Sequence, residues 1–202
     1  MVISHFGLGM VKVQLGDRVI VFNPIGKGAD IEPTKFGADL ALVSLRDSAY
    51  NGVEQVSRGD RVPFVIDSPG EYEIAGDFVQ GFSTSGPSEK INVAYLLVLD
   101  GVRLAHLGAL AKPELPDSVV ETLGKIDVIF LPISDDLLGP KGANKLATLL
   151  EPRVVVPVNF DAKGLAAFLK DMGETVEPID SWTMKRKDLV DKEGEVVVIK
   201  SF

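Results

Sequence analysis

The chain has 202 residues, a formal net charge of −8, two histidines and no cysteine. Without cysteine, disulfides, thiolate nucleophiles and Cys-based metal sites are excluded, and any metal would need His and carboxylate ligands. The acidic balance argues against nucleic acid as a partner, and no apolar run is long enough to span a membrane. Because no secretory signal is visible at the start of the chain, we expect a cytoplasmic protein.

The first half of the chain predicts short strands that are separated by Gly, Pro and Asp. Residues 10–15 alternate in polarity, and Gly16-Asp17 then provides a turn into the apolar segment 18–24, which predicts a hairpin. Residues 40–44 read as a buried strand that runs directly into a polar loop. Further strands are predicted at 62–68, 70–76 and 77–84, and a second hairpin at 92–108 with Asp100-Gly101 as its turn.

The second half predicts alternating helices and buried strands. In chain order they are a short helix capped by Asp117, a strand at 127–133, a helix over 143–150, a strand at 153–160, a helix from Asp161 to Gly173 and a last strand at 194–202. Strands first and helix-strand units later indicate an α/β (α+β) fold in which two sheets pack together with helices outside. We expect a single domain over residues 1–202.

Two polar residues stand at the ends of predicted buried strands. His106 ends the strand of the second hairpin, and Asn159 ends the strand at 153–160. Sites are often assembled at strand ends in layered folds, which makes both residues candidates. A lone buried histidine is nevertheless more often a hydrogen-bonded structural residue, so both interpretations of His106 stay open.

Several motifs follow one another in an order that resembles the metallo-β-lactamase fold superfamily, and especially its small lactonase-like Zn-dependent hydrolases. They are "SHFGLG" at 4–9, "FNP" at 22–24, "ADLALVSLRDSAYNGVEQV" at 38–56, "SPGEYEIAGDFVQGF" at 68–82, "HLGAL" at 106–110 and "VVVPVNF" at 154–160. The resemblance covers nearly the whole chain. It implies a four-layer αββα sandwich of two mixed sheets with outer helices.

The resemblance also implies where the metal site of this superfamily falls in the chain. The seven positions are Leu45, Asp47, Ala49 and Tyr50 after the strand at 40–44, His106, Ala109 and Asn159. Only His106 keeps the ligand of the family. Leu45 and Ala49 offer no lone pair, and Ala109 cannot bridge two metals as the family's aspartate does.

These replacements predict a degenerate metal site in a metal-free or metal-poor relative, a pseudoenzyme that serves as a binding or scaffold domain. We therefore expect no metal ligands and no cofactor, with zinc or manganese as the alternative.

The alternative function is hydrolysis of an ester, lactone or phosphoester at a rearranged site. In that hypothesis Asp47 and His106 act as acid and base, and Tyr50 or Asn159 orients a substrate oxygen. The expected partner is a small molecule or a protein, no membrane is expected, and assembly into a homo-oligomer is left open.

Overall fold

The computed structural model describes residues 1–201 and contains two mixed β-sheets that pack face to face. The strands are β1 Val2–His5, β2 Val11–Leu15, β3 Arg18–Phe22, β4 Leu40–Leu42, β5 Phe64–Ile66, β6 Gly70–Ile74, β7 Asp77–Ser85, β8 Ile91–Leu99, β9 Val102–His106, β10 Val128–Pro132, β11 Val154–Val158, β12 Trp182–Thr183 and β13 Glu195–Val196. Both predicted hairpins are confirmed, since β2 pairs with β3 and β8 pairs with β9 in antiparallel register.

The order and direction of the strands determine which loops lie close together. The six-stranded sheet has the order β12-β1-β2-β3-β4-β5, and β3, β4 and β5 are parallel in it. The seven-stranded sheet has the order β13-β11-β10-β9-β8-β7-β6, with β9, β10, β11 and β13 parallel. The carboxyl ends of parallel strands meet at one edge of a sheet, so the loops after β4, β9, β10 and β11 can build a common site.

The main core lies between the two sheets and consists of alternate residues of their inner faces, among them Phe22, Leu42, Leu97 and Phe130. Tyr95 of the seven-stranded sheet is fully buried in this layer. Its hydroxyl lies 2.9 Å from the backbone oxygens of both Val43, which follows β4, and Ile66, which ends β5, and its one proton is shared between them. This side chain therefore links the two sheets beside the loop that follows β4.

Three helices cover the outer face of the seven-stranded sheet: α1 Asp117–Leu123, α2 Gly139–Leu150 and α3 Ala162–Met172. The predicted ends of α3 are confirmed, because Asp161 accepts a hydrogen bond from the Gly164 amide at 2.6 Å and Gly173 has a φ of 73°. The predicted cap of α1 is wrong by one residue. Pro116 holds the cap position there, and Asp117 is already inside the helix.

The outer face of the six-stranded sheet has no α-helix among residues 1–201. Its apolar side chains, such as Val19, Val21 and Ala41, pack against the segment 24–39 and a short 3₁₀ helix at Val53–Val56. Segment 24–39 contains two prolines and three glycines, which disfavour a continuous helix. The sandwich is thus confirmed, with irregular chain as its outer layer on one side.

The last predicted strand is shorter than expected. Only Glu195–Val196 pairs as a strand, and Ile199 and Ser201 form isolated bridges to Ile179 and His5. Phe202, which the prediction included, lies outside the described residues. Within residues 1–201, no helix combines the length and apolar character that crossing a bilayer requires.

Candidate functional site

A cleft of about 470 Å³ opens at the carboxyl ends of the parallel strands, and we call it the strand-end cleft. It is lined by Leu8, Gly28, Ala29, Asp30, Leu45, Asp47, Ser48, Ala49, Tyr50, Pro87, Lys90, Ser134, Asp136, Leu137, Asn159, Phe160 and Asp161. A second cavity of similar volume lies beside it under segment 27–35 and contains none of the predicted site residues. The strand-end cleft brings five of those seven residues together.

The floor of the cleft is apolar. Leu45, Tyr50, Ala109 and Leu137 form a small hydrophobic cluster, and Ala49 packs against it. Four of these five residues occupy positions where the resemblance implies metal ligands. Ala109 is fully buried and does not line the cleft. Side chains of this kind exclude water and offer no donor atoms to a metal, apart from the Tyr50 hydroxyl.

Asp47 is the acidic residue of the loop 43–52 that follows β4. Its Oδ1 accepts a hydrogen bond from the Ala49 amide at 3.2 Å, and its Oδ2 lies 3.3 Å from Nζ of Lys90. The side chains of Asp47 and Lys90 are 39% and 52% exposed, so solvent screens the ion pair. The pair places a carboxylate and an ammonium side by side where a ligand in the cleft can reach both.

Tyr50 and Asn159 meet at the inner end of the cleft. Asn159 Nδ2 donates to the Tyr50 hydroxyl at 3.2 Å. Burial raises the pKa of Tyr50 to about 12, and the nearby carboxylates of Asp136 and Asp47 act in the same direction against the hydrogen bond from Asn159. The phenol is therefore protonated at neutral pH and can donate a hydrogen bond.

Asn159 is 7% exposed, and its backbone takes the left-handed conformation with a φ of 51°. The backbone amide donates to the Leu8 oxygen at 2.8 Å, which joins the end of β11 to the turn after β1. The side-chain Oδ1 has no hydrogen-bond partner within residues 1–201. Asn159 therefore lines the cleft, while its Oδ1 is buried beside Gly9.

His106 lies beneath the cleft and does not line it. The ring is fully buried and stacks against Phe22 and Phe130 at centroid distances of 5.0 and 5.4 Å. Nδ1 accepts from the Gly108 amide at 2.9 Å, which leaves Nε2 to donate to the Gly9 oxygen at 3.0 Å. Burial lowers the pKa of His106 to about 3. The ring is neutral at pH 7, and both nitrogens are engaged by backbone.

His5, the other histidine, holds the same turn from its opposite side. Its Nε2 lies 2.9 Å from the Leu8 oxygen and its Nδ1 3.3 Å from the Ile199 oxygen. Burial lowers the pKa of this imidazole as well. The turn over residues 6–9 is thus fixed by both histidines, and through Leu8 it forms one wall of the cleft.

Sequence reasoning missed Lys90 and Asp136, which line the cleft with Asp47. Asp136 lies in the loop that follows the buried strand β10, so the strand-end argument extended to that loop would have identified it. Lys90 stands just before β8, after a turn that contains Pro87, and no local signal marks it. Only the packing of the two sheets brings it to Asp47.

Comparison with known proteins identifies the family of this fold. The sequence profile of the beta-lactamase superfamily domain matches residues 3–159. The chain belongs to the beta-lactamase superfamily. A relative in this superfamily from Thermococcus kodakarensis is 33% identical over 223 residues, which cover 92% of this chain and 90% of the relative. A relative from Lysinibacillus sphaericus is 24% identical over 238 residues, covering 100% and 97%. Both are named UPF0173 metal-dependent hydrolases.

One shorter sequence match and two solved structures are also similar to this chain. A relative from Thermococcus onnurineus with the same name is 33% identical over 107 residues, which span 42% of that relative. A crystal structure from Thermotoga maritima, of a proposed Zn-dependent hydrolase of the metallo-beta-lactamase superfamily, superposes with a TM-score of 0.81 at 26% identity. The superposition covers 100% of this chain and 99% of that one. A structure from Parabacteroides distasonis at 16% identity has a TM-score of 0.67 and supports the fold alone.

These comparisons correct the expectation that the chain uses no cofactor. Relatives that align over almost the whole chain are named metal-dependent, which points to a metal cofactor. The expectation relied on seven positions, and ligands from elsewhere in a chain can also hold a metal. The names likewise do not support the expected pseudoenzyme.

The side chains present at the seven positions do not fit the zinc site that the resemblance implies. Asp47 is paired with Lys90, both nitrogens of His106 are hydrogen-bonded, and Ala109 has no donor. Within residues 1–201, no three His, Asp or Glu side chains are grouped so that they could hold a metal ion. The chemistry below is therefore derived from the chain's own side chains.

Proposed function

We propose that the chain is a hydrolase that acts on a small ester, lactone or phosphoester in the strand-end cleft. The observation that carries the proposal is the Asp47–Lys90 pair, which places a carboxylate and an ammonium 3.3 Å apart at the cleft. The hydrolase names of relatives that align over the whole length support the same reaction class. A metal, where these relatives use one, supplies Lewis-acid and water-activating chemistry.

Within this proposal Asp47 acts as the general base. Its carboxylate takes a proton from water while the water oxygen attacks the carbonyl carbon or phosphorus of the substrate. The Lys90 ammonium lies next to the substrate oxygen on which negative charge develops, and stabilises it. The bond to the leaving oxygen then breaks, and the Asp47 carboxyl returns its proton to that oxygen, which restores the carboxylate.

The buried pair of Tyr50 and Asn159 orients the substrate. The Tyr50 hydroxyl is protonated and already held by Asn159, so a hydrogen bond to a substrate oxygen requires little rearrangement. His106 has a different role from the one predicted. Because both of its nitrogens are bonded to backbone, it positions the Gly9 turn behind the cleft.

A three-substrate assay tests the proposal. The purified chain is incubated with p-nitrophenyl acetate, γ-butyrolactone and bis-p-nitrophenyl phosphate, once after treatment with EDTA and once each with added zinc and manganese. We expect turnover of at least one substrate, and we expect Asp47→Asn to reduce kcat by roughly 100-fold or more, as for loss of a general base.

Asp67→Asn is the matched control variant. Asp67 has the same 39% exposure as Asp47, is paired with Arg46 at 3.1 Å and does not line the cleft. Its activity should equal that of the unmodified chain. Turnover that survives Asp47→Asn, or that Asp67→Asn reduces equally, contradicts the assignment of Asp47.

The binding or scaffold role expected from the sequence is the second candidate. The apolar side chains of Leu45 and Leu137 favour it, since together with Tyr50 they line the cleft and provide no reacting group except the phenol. The names of the relatives favour hydrolysis. Saturable binding of a ligand without turnover in any arm of the assay would support the second candidate instead.

A further inference from the structure

The rim of the strand-end cleft carries an excess of negative charge. Asp30, Asp47, Asp136 and Asp161 line it, whereas Lys90 is its single cationic side chain. Four carboxylates against one ammonium leave a formal excess of three negative charges. Within residues 1–201, only the carboxylate of Asp47 has an ion-pair partner. A cleft lined mainly by one sign of charge attracts ligands of the opposite sign.

Below this rim the cleft is apolar. Leu45 and Leu137, 5% and 8% exposed, form its floor, and Leu8 and Phe160 form part of its walls. An apolar interior with a few polar groups is the usual composition of a small-molecule site. The cleft therefore suits a ligand that has an apolar body and a charged end.

Asn159 adds a buried polar group at the inner end of the cleft. It is 7% exposed, it lines the cleft, and its Oδ1 has no hydrogen-bond partner within residues 1–201. A buried polar atom without a partner is costly, and such atoms are rare in folded proteins.

We propose that the strand-end cleft recognises small amphipathic amines, with the apolar body on the floor formed by Leu45 and Leu137 and the protonated amine at the carboxylate rim. The inference rests on the proposed function and names its substrate class, which is an ester or lactone that carries a protonated amine. Asp136 is the main contact for the amine, because it lines the cleft directly before the floor residue Leu137, is exposed and has no ion-pair partner within residues 1–201. Asp47 is already paired with Lys90, which makes its carboxylate less available to the amine.

Three probes of equal size but different charge test this proposal without any reaction. They are 2-phenylethylamine, 2-phenylethanol and phenylacetate, titrated into the full chain at pH 7 and followed by calorimetry or NMR. We expect the amine to bind roughly tenfold more tightly than the alcohol and phenylacetate to bind most weakly. The preference should shrink at 0.5 M salt, because the rim is exposed to solvent. Equal affinity for amine and alcohol overturns the proposal.

Asp136→Asn and Glu73→Gln form a matched pair of variants. Asp136 lies at the rim, whereas Glu73 is an exposed carboxylate on β6 away from the cleft. We expect Asp136→Asn to weaken binding of the amine several-fold and to leave the alcohol unchanged, and Glu73→Gln to change neither. An unchanged amine affinity in Asp136→Asn overturns the assignment. Circular dichroism establishes that each variant is folded.

The binding and turnover experiments fail independently. Selective amine binding without hydrolysis of any substrate supports the recognition of amines and rejects the proposed function, together with the substrate class. Hydrolysis of neutral esters without any preference for the amine probe supports the proposed function and rejects the recognition of amines. An amino ester that is hydrolysed with a lower KM than its uncharged analogue, while kcat is unchanged, supports both.

Discussion

His106 and Asn159 both lie at the carboxyl ends of parallel strands in the seven-stranded sheet, but their surroundings differ. His106 ends β9, is stacked between two phenylalanines and has both ring nitrogens bonded to backbone. Asn159 follows β11, lines the cleft and keeps one amide atom without a partner within residues 1–201. The polar atoms of the His106 ring are all hydrogen-bonded and buried, whereas Asn159 borders the cleft. A strand end thus becomes a site only where the facing sheet leaves room.

The largest effect that tests this contrast is expected from His106→Ala. The change removes the ring between Phe22 and Phe130 and leaves the Gly9 oxygen and the Gly108 amide without partners. We expect the free energy of unfolding to fall by about 4 kcal/mol, from a cavity and two buried polar groups. Urea denaturation measures it. A loss below about 1 kcal/mol would mean that His106 is not part of a sealed layer.

The pH dependence of stability gives the next largest effect. The pKa of His106 is about 3 in the fold, against about 6.5 in the unfolded chain. The unfolded state therefore binds the proton first, so the stability from this group is complete above pH 6.5 and falls as pH drops toward 3. Between pH 7 and pH 4.5 this loss is about 3 kcal/mol.

His106→Gln provides the comparison for that measurement. Glutamine does not titrate, and its amide can donate to the Gly9 oxygen. The difference in unfolding free energy between the unmodified chain and His106→Gln should therefore narrow as pH falls from 7 to 4.5. His5 and the carboxylates titrate in both proteins and cancel. A difference that stays constant with pH would show that His106 is not buried in its neutral form.

Leu45→Ala probes the floor of the cleft. Leu45 is 5% exposed and packs in the cluster with Tyr50, Ala109 and Leu137. Since this cluster is small and borders the cleft, we expect a loss of about 2 kcal/mol, at the low end for a buried leucine. Thermal and urea unfolding both measure it. A loss as large as that of His106→Ala would place Leu45 in the sealed core instead of at a cleft.

Asn159→Ala is expected to have the smallest effect of the series. It removes the hydrogen bond to Tyr50 and places alanine at a φ of 51°, but it also removes the amide atom that lacks a partner. The opposing contributions leave a net loss of about 1 kcal/mol. The free energy of ligand binding should fall by more than the free energy of unfolding does. The reverse result would mean that Asn159 is mainly a structural residue.

Sequence reasoning predicted much of the fold because its signals are local. Alternating polarity and a two-residue turn define the β2–β3 hairpin, and Asp100-Gly101 takes positive φ at both residues, as the β8–β9 turn requires. Asp161 and Gly173 likewise mark the ends of α3. The order of motifs then located the cleft, since five of the seven residues implied by the resemblance line it.

The tertiary structure decided what those residues can do. The contact between His106 and Gly9 joins residues 97 positions apart, and that between Asn159 and Tyr50 joins residues 109 positions apart. Lys90 reaches Asp47 across 43 positions, and no local pattern contains that pairing. By itself the sequence determined strands, turns and the ends of α3, because neighbouring residues set them, and its resemblance to the superfamily located the cleft. The burial of a side chain, the charge balance around it and the hydrogen bonds of its polar atoms depend on which distant segments pack together. Only the tertiary structure therefore shows that His106 is buried beneath the cleft and that Asn159 lines it.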